Sequence, residues 1–432
     1  MDDRRGSAPH SGPDRVRQRS APLRNRGPRV RIAEIDALER EASRHLAGHI
    51  PAAIGLRHSI HRSPCLGGEE TETRSLIEAA LGVTGVPVAE GMYVRVGPAS
   101  GPSVAVRAEL DALPIQEKSG RAWSSERPGA AHLCGHDVHA AALAAAAMTL
   151  RELEIPIGFV AAYQPREEVM PSGARDFVAS DEFRGNEIQA MLGLHLQPAL
   201  PSGHISSIPG PVNASADDFE IRIAGRAAHG AYPHRGNDPI VAAAAIVQAV
   251  QQLVSRRIDP MTPAVVTIGR LRAGDSNNQI PGEATLGGTV RSYHEGDRGF
   301  LQAELGQVAR SVAGAYGCEA EVVFSQGEPV LHNDPELTAS IAAALEDDGA
   351  VQAEPFRSCG SDDFAFYCEI FPSLMIFVGV GDGHADSPGL HNPAFAPDDD
   401  LVEVLARMML RAYFAVVRNN PQLMFDQKEL HA

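Results

Sequence analysis

The chain has 432 residues, of which 44 % are hydrophobic and 22 % charged, the balance of an ordinary soluble globular protein with enough apolar material for more than one core. Acidic residues outnumber basic ones 55 to 38, for a formal net charge of -17, a field that repels nucleic-acid backbones and anionic membrane surfaces alike. The five cysteines, Cys65, Cys134, Cys318, Cys359 and Cys368, are too few and too scattered for a disulfide framework and point to a reducing compartment.

Residues 1–31 are rich in Arg, Ser, Pro and Gly and contain no apolar h-region, so they read as a disordered tail and not as a secretory signal. Asp2, Asp3 and Asp14 argue against a transit peptide. No apolar run approaches the ~20 residues of a spanning helix, and the expected location is cytoplasmic. From Ile32 to about Glu78 apolar residues recur at three- and four-residue intervals, which predicts amphipathic helix. The runs SVAVRAELDALP, IGFVAAYQPREE and IQAMLGLHLQP predict buried strands. Between the first two, HDVHAAALAAAAMTLREL predicts a strong helix from its alanine and leucine content. Such alternation implies a parallel or mixed sheet with helices on its faces.

From about Ser215 to Gln326 the order becomes strand, helix, strand, strand, helix, strand, the β-α-β-β-α-β arrangement of ferredoxin-like units. A helix (DPELTASIAAALEDDG), an apolar strand (SLMIFVGVG) and a last helix (DDLVEVLARMMLRAYFAVV) then resume the earlier character. The expected fold class is therefore α/β. One discontinuous α/β domain, residues 32–213 and 328–418, would hold an inserted ferredoxin-like domain, residues 214–327, with a C-terminal tail at 419–432.

In an open α/β sheet ligands gather beyond the carboxyl ends of the strands. Asp111 follows the first apolar run, Glu167 and Glu168 the second, His195 closes the third, and His391 lies in SPGLHNPAF after the last strand. Cys134 and His136, in HLCGHD, stand at the mouth of the alanine-rich helix. A thiolate, three imidazoles and several carboxylates suit Zn²⁺ through sulfur and Mn²⁺ or Co²⁺ through nitrogen and oxygen. A single ion takes about three protein ligands and an open position, so a set this large fits two divalent ions about 3.5–4 Å apart. Adjacent residues leaving a strand point in different directions, so one glutamate can bind metal while the other moves protons. That pairing suits water attack on an amide, in which one carboxyl takes the water's proton and returns it to the leaving nitrogen. His229, in GRAAHGAYPH, is a candidate donor to the carbonyl oxygen.

Taken singly, each residue has a blander explanation. His195 on an apolar strand suits a hydrogen-bonded core histidine, Cys134 a small buried hydrophobe, the glutamate pair a solvated strand exit, and His229 a turn residue. His139, one turn after His136, caps or packs and stays outside the site. Joint occurrence at successive strand ends is what favours a shared site.

The motifs RHSIHRSP, ELDALPIQE, HLCGHDVHAAAL, QPREE, LGLHLQP, GRAAHGAYPHRGNDPIVAA, NNQIPG, GTVRS, GSDDFAFY and GLHNPAF resemble, in order and spacing, those of the M20 metallopeptidases. Within that family the chain is similar to the aminoacylase and hippurate hydrolase branch that includes the plant auxin-conjugate hydrolases. The resemblance runs from about His58 to Val417. It implies metal ligation by Cys134, His136, Glu168, His195 and His391, a catalytic Glu167, and an Asp111 that orients the metal site. It also implies that the inserted domain is a lid and dimerisation module, that His229 contacts the substrate carbonyl, within one chain or across a homodimer, and that Asn278 and Arg291 lie near the substrate carboxylate.

The chain departs from the family pattern at Glu109, where an Asp is usual, at Cys65 in place of Glu, and at Asp362 in place of the Glu of Glu-Asp-Phe. It departs too at Arg166, where a small residue usually precedes the glutamate pair. A guanidinium beside the base would favour its ionised form or bind an anionic substrate group. The function so implied is hydrolysis of N-acyl amino acids or related small amides, with no nucleic-acid or membrane partner. Dipeptidase or carboxypeptidase action, removal of an amine from a ring, and a catalytically silent small-acid binder are the alternatives.

Overall fold

The computed structural model describes residues 31–384 and 387–420; the expected N-terminal tail up to residue 30 and the last twelve residues lie outside the described residues. The larger sheet has eight strands, in the spatial order Val86–Val88, Gly91–Val96, Gly158–Gln164, Ser103–Glu109, Ile188–Pro201, Ser373–Gly381, His204–Ser206 and Val351–Gln352. Its four central strands run parallel, and Gly91–Val96 joins antiparallel. Ser103–Glu109 and Gly158–Gln164 are buried at every position, which is why they read as continuous apolar runs and not as alternating patterns.

Alternate residues of Ser103–Glu109 serve two cores. Val104, Val106 and Ala108 join the helices Ile32–Arg62, His136–Arg151 and Asp400–Asn419, while Ala105 packs with Phe177, Phe183, Phe364 and Tyr367 on the opposite face. The helix His136–Arg151 is buried without interruption from His136 to Ala147. Alanine keeps that element thin enough to lie between the sheet and two further helices, and an all-round apolar helix belongs in such a place.

Residues Ser215–Ala224, Ala264–Ala273, Glu283–Ser292 and Glu319–Gln326 form a separate four-stranded antiparallel sheet. The helices Pro239–Arg257 and Glu295–Ala315 cover one of its faces around their own core. Ala264–Ala273 is an edge strand next to Glu283–Ser292, and Glu319–Gln326 is the other edge, so the β-α-β-β-α-β order expected from the sequence is the one observed. Asp238 caps the first of these helices through Ile240 N at 2.9 Å, with Pro239 at its first position.

Three expectations need correction. The helical stretch from Ile32 to Glu78 is two helices, Ile32–Arg62 and Thr71–Leu81, because Pro64, Gly67 and Gly68 lie between them. The last helix reaches Asn419, one residue into the stretch expected to be tail. His195 does not close its strand, which continues to Pro201. The neighbouring strand ends instead: Arg107 pairs with Gly193 and that strand stops at Glu109, which leaves His195 level with its end.

Candidate metal centre

The candidate ligands come from one helix start, one strand interior and the loops beside them. Gly135 turns the chain from Cys134 into the helix with φ +91°, and a Cβ on it would come 2.9 Å from Leu196 Cδ1, so only glycine makes this turn without strain. His136 is the first residue of the helix. Its Nδ1 donates to the Asp111 carbonyl at 2.9 Å, and its buried Nε2 has no partner. His195 likewise donates from Nδ1, to the Leu196 carbonyl at 2.7 Å, and its Nε2 faces Cys134 Sγ at 3.5 Å. A backbone carbonyl only accepts, so both rings are held in the tautomer that leaves Nε2 free to ligate. His391 has φ +63°, is anchored by its N–H to the Leu133 carbonyl at 2.9 Å, and brings Nε2 to 3.2 Å from Glu168 Oε1.

The ligand atoms of Cys134, His136 and His195 lie within 4.8 Å of one another, as do those of Cys134, Glu168 and His391, and those of His136, Glu167 and Glu168. Cys134 and His136 are each shared between groups. The structure thus brings together all six residues named from the sequence for ligation and proton transfer. Asp111 joins them through its Oδ2, which accepts the Glu168 N–H at 2.9 Å. His136 Nε2 and Asp111 Oδ1, buried with no hydrogen-bond partner among the described residues, would be costly if left so. Soft, nitrogen and oxygen donors around one space fit a pair of divalent cations.

The two glutamates differ in environment. Burial, and then the charge of Glu168, push the Glu167 carboxyl well above the usual range. Burial also acts to raise Glu168, but His391, His136 and Cys134 outweigh it and hold that carboxyl low. Adjacent carboxyls driven in opposite directions are the arrangement expected of a proton carrier beside a ligand.

Beside the cluster lies a guanidinium to which sequence reasoning assigns no role. Arg107, fully buried, donates to Gln164 at 3.1 Å, to Asp362 at 3.0 Å, to Asp363 at 2.6 Å and to Glu109. Asp363 is further held by Gln164 Nε2 at 2.7 Å and Ser172 Oγ at 2.6 Å. Glu109 accepts from His139 Nδ1 at 2.8 Å, and His139 Nε2 accepts the Leu196 N–H at 3.2 Å. The available signal was an Arg and a Glu inside an otherwise apolar strand, since buried charges demand partners. Arg107, not Arg166, opposes the upward push on Glu167. The expectation that the Arg166 guanidinium stands beside the base is wrong: it turns away to Glu90, Asp176 and the Pro171 carbonyl.

The inserted unit contributes differently. Arg291 Nη1 donates to Ser361 Oγ at 3.0 Å, next to Asp362. His229 and Asn278 are exposed at the other end of the strand Glu283–Ser292, where Gly230 N donates to the Asn278 carbonyl at 2.7 Å. His229 contacts Ala231 and Tyr232 and does not reach the cluster.

A second buried polar group backs the helix start. His61 donates from Nδ1 to Asp137 Oδ2 at 3.0 Å and faces Glu117 at 3.3 Å, and Arg57 Nε also donates to Asp137, at 3.1 Å. Burial alone would lower His61, but Asp137 and Glu117 outweigh it and raise the imidazole to about 9.

The model of the family described as peptidase family M20/M25/M40 matches residues 105–413. The chain is 34 % identical over 359 residues to the N-acetyl-L-cysteine deacetylase of Bacillus subtilis (strain 168), covering 81 % of this chain and 84 % of that protein. It is 35 % identical over 366 residues to the IAA-amino acid hydrolase ILR1-like 4 of Arabidopsis thaliana, covering 81 % and 82 %. The crystal structure of the Bacillus subtilis YXEP protein, described as a dinuclear metal binding peptidase, superposes with a TM-score of 0.75 at 30 % identity over 87 % of this chain and 100 % of that one.

Proposed function

This chain belongs to peptidase family M20/M25/M40, and on that premise we propose that it is a metal-dependent amidohydrolase that cleaves the amide bond of an N-acyl amino acid or a related conjugate, releasing a carboxylic acid and an amino acid or amine. The observation that carries this reading is the sharing of Cys134 and His136 among three donor groups, two of which include one or both of the adjacent glutamates. The names of the deacetylase and the IAA-amino acid hydrolase support the substrate class.

Cys134, His136, Glu168, His195 and His391 would hold two divalent ions, Zn²⁺, Mn²⁺ or Co²⁺. Bound there, the ions supply Lewis acidity toward the carbonyl and the attacking water. Glu167 takes the water's proton and delivers it to the leaving nitrogen, a task for which a carboxyl with raised proton affinity is suited. Asp111 holds the backbone of Glu168 and the ring of His136. Arg291 receives the substrate carboxylate together with Asn278 of a second copy of the chain, and His229 of that same second copy donates to the carbonyl oxygen.

We assign residues 32–213 and 328–418 to the catalytic domain and 214–327 to a lid that also forms a homodimer. Geometry supports the dimer. From Glu283 to Arg291 the strand spans roughly 27 Å at about 3.4 Å per residue, too far for His229 and Arg291 of one chain to meet the same small substrate. Among the described residues no helix is long and apolar enough to cross a membrane, and all five cysteines are free, which supports a reducing, cytoplasmic location.

The test is a panel of N-acetyl, N-benzoyl and indoleacetyl amino acids run beside dipeptides, before and after chelation and with metal restored. The expected result is hydrolysis of acyl amino acids that chelation abolishes and metal restores. Turnover of dipeptides alone would replace this reading with a peptidase, and no turnover by metal-loaded protein would end it.

A further inference from the structure

The loop 165–172 carries Glu167 and Glu168 from the end of the strand Gly158–Gln164 to the helix Gly173–Ala179. Arg166 enters it with φ +52°, a conformation disfavoured for a residue with a Cβ and sustained only where the surroundings over-determine it. Here they do. The Arg166 N–H donates to Glu70 Oε1 at 2.8 Å, and its carbonyl accepts from Gly173 N at 3.1 Å, which closes the neck of the loop. Its Nε donates to Glu90 Oε2 at 3.0 Å, one Nη to the Pro171 carbonyl at 2.6 Å and the other to Asp176. Glu70 is itself buried and fixed by Gly68 N at 2.8 Å. Three carboxylates from three separate segments therefore converge on one residue, and one guanidinium crosses the loop from its start to its end.

On its outer side the loop is partly open: Val169 and Met170 are 39 % and 50 % exposed, with Val169 lying against Gly67. Each guanidinium nitrogen makes one hydrogen bond and two carboxylates offset the charge, which disfavours a substrate anion at Arg166. We propose that Arg166 is a positioning residue: by clamping Glu90, Asp176 and the Pro171 carbonyl it fixes the loop so that Glu168 joins the other ligands while Glu167 faces the reacting water. The inference rests on the metal-centre reading given above.

The test uses the full chain stripped of metal, with Arg166→Ala, Arg166→Lys and the double variant Glu90→Gln/Asp176→Asn. The double variant touches only part-exposed carboxylates outside the ligand set and so keeps the test alive if Arg166→Ala fails to fold. Co²⁺ and Zn²⁺ affinity is measured by titration, together with the melting temperature of the stripped protein and kcat and KM on acyl amino acids and their carboxamides. The expected result is a loss of ion affinity and of kcat on the order of 10- to 100-fold in Arg166→Ala and the double variant. KM should rise no more for the carboxylate substrate than for its amide, the melting temperature should stay close to the parent's, and Arg166→Lys should recover part of the loss. A double variant with the parent's ion affinity and kcat overturns the clamp. So does a KM rise confined to anionic substrates, which would make Arg166 a substrate ligand. Failure of the parent itself to bind Co²⁺ or Zn²⁺ would instead overturn the metal-centre reading, and the clamp with it.

Discussion

The backbone N–H of Glu168 donates to Asp111 Oδ2 at 2.9 Å, so the aspartate that leaves one strand fixes the main chain of a glutamate that leaves another. Removing that acceptor should free the glutamate loop at its inner side. Asp111→Ala is expected to lower metal affinity and kcat by about 10- to 100-fold. Asp111→Asn keeps an oxygen that can accept the same N–H and should lose less. Metal titration of the two variants checks this; identical losses would assign the effect to the charge of Asp111 and not to its hydrogen bond.

Arg107 pairs with Glu109, Asp362 and Asp363, all buried. Truncating one partner of a buried ionic group leaves the others uncompensated, typically at a cost of about 3–5 kcal/mol. Arg107→Met should therefore lower stability by about that amount in denaturant unfolding. A change below 1 kcal/mol or so would mean that the carboxyls simply take up protons.

His61 supplies a pH dependence of stability. Its proton affinity is raised on folding, from the ordinary 6.5 to about 9, because Asp137 and Glu117 outweigh burial. The stabilisation is therefore fully present below about pH 6.5 and is lost as pH rises through about 9, with a size of about 3 kcal/mol. In metal-free protein, the stability difference between the parent and His61→Gln should shrink from pH 6 to pH 9.5. A constant difference over that range would show that His61 carries no extra proton in the folded state.

The dimer reading makes Glu167 and His229 of one active site residents of different chains. Glu167→Ala and His229→Ala should each lose turnover by about 10²–10⁴-fold. Mixed and allowed to exchange, they should regain about a quarter of the parent's activity, since half of the dimers would hold one complete site. No recovery after demonstrated exchange would place both residues on one chain.

Much of this was legible before any coordinates. The central strands and the alanine-rich helix are buried on all sides, so their sequences carry no polar face to confuse the reading. The hairpin Val86–Val88 and Gly91–Val96 passed unnoticed because its three- and six-residue strands are too short for periodicity to register. The break between the first two helices was signalled by Pro64, Gly67 and Gly68, but the periodicity on either side hid it. Arg166 neighbours Glu167 in the chain, but its positive φ sends the side chain to Glu90 and Asp176, a direction that spacing in the chain does not encode.

The sequence by itself determined the α/β class, the order of strands and helices in the inserted unit, and the residue types at the strand ends, because burial periodicity and ligand chemistry are local properties written in adjacent residues. Only the tertiary structure decided which Nε2 atoms carry no hydrogen bond, which arginine's charge acts on Glu167, and where the Arg166 guanidinium turns. Those outcomes depend on contacts between segments hundreds of residues apart, such as Arg107 with Asp362, and on backbone angles that no spacing in the chain encodes.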